Sequence, residues 1–266
     1  MPDEDPKARV LRRQLLWQGL VGAGVLAAGP TLFRSVLAAP PSAGAVDLGP
    51  ARLIAAVPAP PVVTRSQWGA DERLRRGSPD FAPIRQVIVH HTVTATQEPD
   101  PAARVRAIHA FHVQGNGWSD IGYNFLVDQA GRIYEGRAGG AGPPGEDGAG
   151  RGVVGAHAEG HNTGSVGVAI LGTFTEDRVT PSDAALDAVA AVAAWKLGTR
   201  GIDPVAPGAL IGHRDVVSTG CPGAGCQRRL PELRDRARAR IAGASSQPED
   251  GGLIEEVLEA VGGLLG

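Results

Sequence analysis

QVIVHH, residues 86–91, is a short run of β-branched apolar side chains that ends in two adjacent histidines. Valine and isoleucine suit a pleated, half-buried strand, so the run reads as a strand. Successive strand side chains point to opposite faces, and therefore only one of His90 and His91 can face a given site. Further strand signals stand at YNFLVD (123–128), RIYEG (132–136), SVGVAILG (165–172) and ALIGHRD (209–215). Helical signals fall between them, at PDPAARVRAIHAFHVQ after Glu98, at TPSDAALDAVAAVAAWKLG from residue 180 and at RRLPELRDRARARIA from residue 228. The second of these has Thr180 as its N-cap and Asp183 in its first turn, and it closes before Gly198. Strands alternating with helices, plus the pair 123–136 joined by a QAG turn, predict an α/β fold: a mixed central β-sheet flanked by helices. The glycine-rich stretch GRAGGAGPPGEDGAGRG (136–152) reads as a long surface loop.

The whole chain has 266 residues and a formal net charge of -2, which gives no global electrostatic reason to expect nucleic-acid binding. With only Cys221 and Cys226, at most one small disulfide can form, so stability must come mainly from packing, with a metal as the other candidate source. The N-terminus has the layout of an export signal. Adjacent Arg12 and Arg13 precede a weakly apolar run from Leu15 to Ala28, and small residues follow at 36–39. The arginine pair before Gln14, Leu15 and Leu16 resembles a twin-arginine signal, which addresses folded proteins for export. That run is shorter than the ~20 residues needed to span a bilayer, so no stable membrane span is expected once the signal is removed. The organisation read from the chain is a signal at 1–39, a Pro/Ala-rich linker at 40–61, a catalytic-type domain at 62–243, and a linker with a short amphipathic tail at 244–266. In the tail, Leu253, Ile254, Val257, Leu258, Val261 and Leu265 make a helical stripe.

The chemistry concentrates in GHRDVVSTGCPG (212–223), where His213 and Cys221 stand eight positions apart among loop-forming residues. Zinc prefers nitrogen and sulfur, and a catalytic site takes three protein ligands with a fourth position left for water. A strand ending at His213 and a loop through Ser218, Thr219 and Gly220 would let the Cys221 sulfur bend back to the same ion. The third ligand must come from elsewhere, and VIVHHT offers His90 or His91. The letters His213-Arg214-Asp215 also open a kinase catalytic loop, but the glycine loop and lysine strand that a kinase needs are missing.

Five segments extend the case: TRSQWGA (64–70), VIVHHTVT (87–94), FHVQGNGWSDIGYNFLVDQAGRIYEGR (111–137), VVGAHAEGHNTGSVGVAILG (153–172) and LIGHRDVVSTGCPG (210–223). Together they closely resemble the peptidoglycan recognition protein and type-2 N-acetylmuramoyl-L-alanine amidase family, over about residues 62–240. The resemblance implies a single amidase-type domain with a Zn2+ ion held by His90, His213 and Cys221. It implies catalytic roles for Tyr123, beside the metal, and Thr219. It also implies substrate contacts from His112, His157 and Asn162, with peptidoglycan or muropeptides as the partner. Family members that lack the cysteine bind peptidoglycan without cutting it, so Cys221 puts the chain with the hydrolytic members.

The resemblance has two departures. A cytosolic branch that recycles wall fragments carries a glutamate in the strand matching SVGVAIL and an aspartate as last ligand; here those positions are Ala169 and Cys221. Cys226 has no counterpart role, and a bridge to Cys221 would remove a ligand. Two other readings compete with a zinc amidase: a wall-binding module that does not cleave, and a peptidase using Cys221 as nucleophile with His213 as base. Trp68 and Trp118 are expected to anchor packing, with sugar stacking as the lesser alternative.

Overall fold

The computed structural model describes residues 57–246. The export-signal reading of residues 1–39, the linker up to residue 56 and the amphipathic stripe from Leu253 lie outside the described residues. In chain order the first elements are β1 (Val62–Val63), α1 (Arg65–Trp68), β2 (Phe81–Ala82), β3 (Gln86–His91) and α2 (Pro101–Ala110). They are followed by β4 (Phe125–Val127), β5 (Ile133–Glu135), β6 (Gly152–Val153), β7 (Ser165–Ile170) and α3 (Asp183–Gly198). Strand β8 (Leu210–Gly212), α4 (Ala224–Gln227) and α5 (Leu230–Ser245) complete the described part.

Among the described residues, six strands form one sheet in the order β1-β5-β4-β7-β3-β8. Strand β3 lies parallel to both β7 and β8, and β4 is parallel to β7 but antiparallel to β5. This is the mixed sheet the sequence predicts. Strand β3 is buried from Val87 to His91 because parallel neighbours cover both edges, helix α3 covers one face, and Ala158, Val216 and Val217 pack over Ile88 on the other. Val87 and Val89 point into the larger core with Val168, Ile170, Phe125 and the helix α3. Helix α3 is buried around most of its circumference, between the sheet on one side and α5 on the other, which explains its alanine- and valine-rich sequence. The opposite face of the sheet packs a smaller core, in which Leu126, Tyr134 and Ala169 meet Trp68, Val105 and Ile108 of α1 and α2. Trp68 is an anchor as expected: it is buried, and its indole N–H donates to the Glu135 carbonyl at 2.8 Å.

The structure corrects the sequence reading at several places. Ser182, not Thr180, caps α3, because its hydroxyl accepts from the Ala185 N–H, and Gly198 is the last helical residue. Strand β8 stops at Gly212, and His213–Asp215 form a 3-10 turn instead of continuing the strand. That turn is fastened by the Asp215 carboxylate, which accepts from the Gly212 N–H and from the Gln227 amide. Helix α2 runs into a π-helical turn over Phe111–Gly115. The packed region also reaches back to Val57, whose side chain joins the larger core.

The segment 136–152 is not a free surface loop. Gly152–Val153 pair with Phe81–Ala82, and Glu146 and Asp147 are buried. Lys196, fully buried on α3, donates to the Pro144 carbonyl at 2.8 Å and to the Glu146 carboxylate, which Arg200 also reaches at 2.8 Å. Burial lowers the Lys196 ammonium to about 8 despite its carboxylate partner. A glycine-rich segment has little side-chain packing of its own, so this buried ion cluster holds it on the helix. Removing one partner of a buried pair leaves an uncompensated charge and typically costs ~3–5 kcal/mol. Glu146→Gln is therefore expected to lower the unfolding free energy by about that amount in denaturant titration and to speed proteolytic cutting within 136–152. Wild-type stability would show that the cluster does not hold the segment.

Candidate metal centre

His90 and His213 meet because of strand register. Val89 of β3 pairs with Gly212 of β8, so the next residue of each chain segment, His90 and His213, emerges side by side at the carboxyl ends of two parallel strands. Carboxyl ends of parallel strands are where sites form in open α/β sheets. The two rings are 4.4 Å apart between centroids. The loop 216–220 then returns the chain so that Cys221 Sγ lies 3.6 Å from His90 Nδ1. The return is braced by the Arg214 N–H, which donates to the Cys221 carbonyl at 2.9 Å. One ligand atom from each of His90, His213 and Cys221 lies within 4.8 Å of the others.

Strand alternation settles the choice between the paired histidines. His90 faces the cluster, whereas His91 points to the opposite face, where its Nδ1 accepts from the Phe174 N–H at 3.2 Å. Both cysteines are free thiols, so no bridge removes Cys221 from the cluster, and Cys226 is buried beneath it in the larger core.

The electrostatics suit an ion. Burial, then the neighbouring His157 and His213, holds His90 well below the usual imidazole range, and burial also lowers His213. Both rings are thus neutral at pH 7 and have a lone pair to offer. His213 Nε2 is buried without a hydrogen-bond partner. Two neutral imidazoles, one of them with an orphaned buried nitrogen, and one sulfur are a donor set that fits a divalent transition-metal ion.

The other predicted site residues gather around this cluster, in differing ways. Tyr123 is half-buried, its ring 5.4 Å from that of His90. Burial, then Cys221, raises its phenol above the ordinary value, so it stays protonated. Thr219 Oγ1 accepts from the Cys221 N–H at 3.3 Å, which leaves its own proton to donate. His112 sits between Trp118 and Tyr123, and its Nδ1 accepts from the Gly122 N–H at 3.0 Å. Burial lowers His112 to about 4, so the ring is neutral with its proton on Nε2. Asn162 uses its side-chain oxygen locally, accepting from the His157 and Ala158 N–H groups at 2.8 and 2.9 Å. His157 is buried, and its Nδ1 lies 3.1 Å from His90 Nε2. His109 belongs to a different group: its Nε2 is 3.1 Å from the Asp120 carboxylate, which Arg65 and Arg75 also reach. Ala169 is the register partner of His90 on β7, so its methyl group occupies the place beside the cluster where an acidic side chain would stand.

The family model described as N-acetylmuramoyl-L-alanine amidase matches residues 80–224, just over half of the chain. The chain belongs to that family. An N-acetylmuramoyl-L-alanine amidase of Sus scrofa is 35% identical over 171 residues, covering 62% of this chain but only 26% of its own length. Peptidoglycan-recognition protein LB of Drosophila melanogaster is 35% identical over 166 residues, which span 61% of this chain and 64% of that protein. This amidase-family chain therefore spans about a quarter of the porcine relative and just under two thirds of the insect one. Among solved structures, human PGRP-IBETAC in complex with glycosamyl muramyl pentapeptide superposes with a TM-score of 0.52 at 31% identity, over 64% of this chain and 94% of that one.

Ser165 is a site residue that sequence reasoning missed; its hydroxyl lies 3.4 Å from His157 Nε2. The signal was present in SVGVAI, where the small residues Ser165, Gly167 and Ala169 alternate with Val166, Val168 and Ile170. One face of β7 is thereby left with room for rings from elsewhere.

The protonation states predict how ion binding depends on pH. Burial raises the Cys221 thiol to about 11, so at pH 7 to 9 it holds a proton in the metal-free protein, while the two imidazoles hold none beyond their neutral state. Loading must expel that one proton, so lower pH opposes binding and higher pH favours it. Apparent zinc affinity measured by chelator competition should rise about tenfold per pH unit across this window. A flat profile would mean that the sulfur is not a ligand.

Proposed function

We propose that the protein hydrolyses the amide between the lactyl group of N-acetylmuramic acid and the L-alanine that starts the stem peptide of bacterial peptidoglycan, using a zinc ion held by His90, His213 and Cys221. The observation that carries this reading is the convergence of those three side chains within 4.8 Å in a chain of the amidase family. The peptidoglycan ligand in the human relative's structure supports the substrate class. The signal layout of residues 1–39 supports export to the compartment where that polymer lies.

Zinc, when bound, supplies Lewis-acid chemistry: it polarises a carbonyl and lowers the pKa of water toward ~7. The remaining work falls to the side chains. Tyr123 is held protonated by burial, so it acts as a donor, placed to hydrogen-bond the oxygen on which negative charge develops as the amide carbonyl is attacked. Thr219 adds a second, neutral donor, and His112 offers the Nε2 proton to substrate while its Nδ1 is held by Gly122. With Ala169 beside His90, no carboxylate from β7 shares the load, which increases the weight on Tyr123.

The peptidase alternative fits the site less well. A nucleophilic cysteine needs a depressed pKa, given by a nearby cation or helix N-terminus, whereas burial drives Cys221 up to about 11. A thiol kept neutral by burial and released as thiolate to a metal is consistent with a ligand.

The test is incubation of the zinc-loaded full chain with peptidoglycan, followed by mass analysis of the soluble products. Free stem peptides with an intact N-terminal alanine are expected. Bound but uncut polymer would mean recognition only, and activity that survives strong chelation yet dies on alkylation would mean thiol chemistry. Tyr123→Phe should lower kcat about a hundredfold, or ~3 kcal/mol of barrier, with little change in KM. An unchanged kcat would remove its assigned role.

A further inference from the structure

The neighbourhood of His90 holds a line of hydrogen bonds whose direction is fixed at its far end. Ser165 Oγ lies 2.6 Å from the His161 carbonyl and 3.0 Å from the Asn162 carbonyl. Carbonyl oxygens only accept, so the single hydroxyl proton goes to one of them, and Ser165 Oγ can offer only a lone pair to His157 Nε2 at 3.4 Å. His157 Nε2 must then carry the proton of that ring. A neutral imidazole has one N–H, and the His157 ring is buried against a second imidazole and a hydroxyl, with no carboxylate among the described residues beside it to hold a charge. Its Nδ1 is therefore an acceptor, 3.1 Å from His90 Nε2. It follows that His90 is protonated on Nε2 and presents the lone pair of Nδ1, the atom that lies 3.6 Å from Cys221 Sγ.

The His157 ring is also confined to one position. A Cβ added at Gly167 would come within 2.4 Å of that ring, and one added at Gly155 within 2.5 Å, so the ring lies in a slot that two glycines leave open. Asn162 holds the backbone at His157 and Ala158 through its side-chain oxygen. A serine, a histidine, an asparagine and two glycines therefore converge on the orientation of one nitrogen.

We propose that His157, backed by Ser165, is a positioning residue that sets the tautomer and ring orientation of His90, so that Nδ1 is the atom offered to the metal. Partners that fix the second nitrogen of a ligating histidine typically change metal affinity 10- to 100-fold when removed. This inference rests on the metal-centre reading for its consequence, but the tautomer of His90 is a property of the metal-free protein and can be read without any ion.

Two measurements on the full chain test it. Long-range proton–nitrogen spectra of metal-free, nitrogen-15 histidine-labelled protein should show His90 protonated at Nε2 and bare at Nδ1, and Ser165→Ala should let the opposite tautomer appear. Zinc affinity by chelator competition should fall 10- to 100-fold in Ser165→Ala and in His157→Leu. His157→Asn, whose side-chain oxygen stands near the position of Nδ1, should recover most of the loss; a merely packing role for His157 would favour the leucine over the asparagine. A proton on His90 Nδ1 in the wild type, or variants that bind zinc as tightly as the wild type, would overturn the inference. Should the wild type bind no zinc at all, the metal reading fails by itself and the spectra alone decide the tautomer assignment.

Discussion

The parallel pairing of β3 with β8 is the constraint on which the site depends. Its register ends at Val89 and Gly212, so that the next residue on each side is a histidine on the same edge of the sheet. A one-residue slip would turn His90 to the opposite face and leave His213 beside Val89 or His91 instead. That register is held by burial on both faces: Val87 and Val89 are locked into the core under α3, while Ile88 packs with Ile211 and Ala158 on the side of the site. The sulfur arrives by a different route, through a short loop tied back by Arg214, Asp215 and Gln227.

Burial does two jobs in this arrangement. It supplies the packing that fixes the strands, and it shifts the protonation of His90, His213, Tyr123 and Cys221. The imidazoles are kept neutral, and the Tyr123 phenol and the Cys221 thiol are kept protonated. No buried carboxylate has to be neutralised at the cluster, because β7 contributes Ser165, Gly167 and Ala169 to that face. Ser165 and Gly167 also make room for His157, which links His90 to the backbone of the 157–165 turn.

Much of this was legible in the sequence. The strand QVIVHH was bounded correctly because β-branched residues in a short run have few alternatives, and strand alternation anticipated that one histidine alone would face the site. The His213 and Cys221 pair was legible from the chemistry of its loop. Other features depend on long-range contacts that local patterns do not encode. The 3-10 turn at His213–Asp215 follows from an Asp215 carboxylate that reaches both Gly212 and Gln227. Glycine content in 136–152 reads locally as a free loop, because the Lys196 and Glu146 that bury it stand fifty residues apart. The contact between His157 and His90 was not legible for the same reason, since the two stand sixty-seven positions apart.

The most direct test of the account is X-ray absorption at the zinc edge of the loaded full chain. One sulfur near 2.3 Å and two imidazole nitrogens near 2.0 Å are expected, about the distances usual for these ligands, with the sulfur contribution lost in Cys221→Ser. A first shell of oxygen and nitrogen alone in the wild type would contradict it.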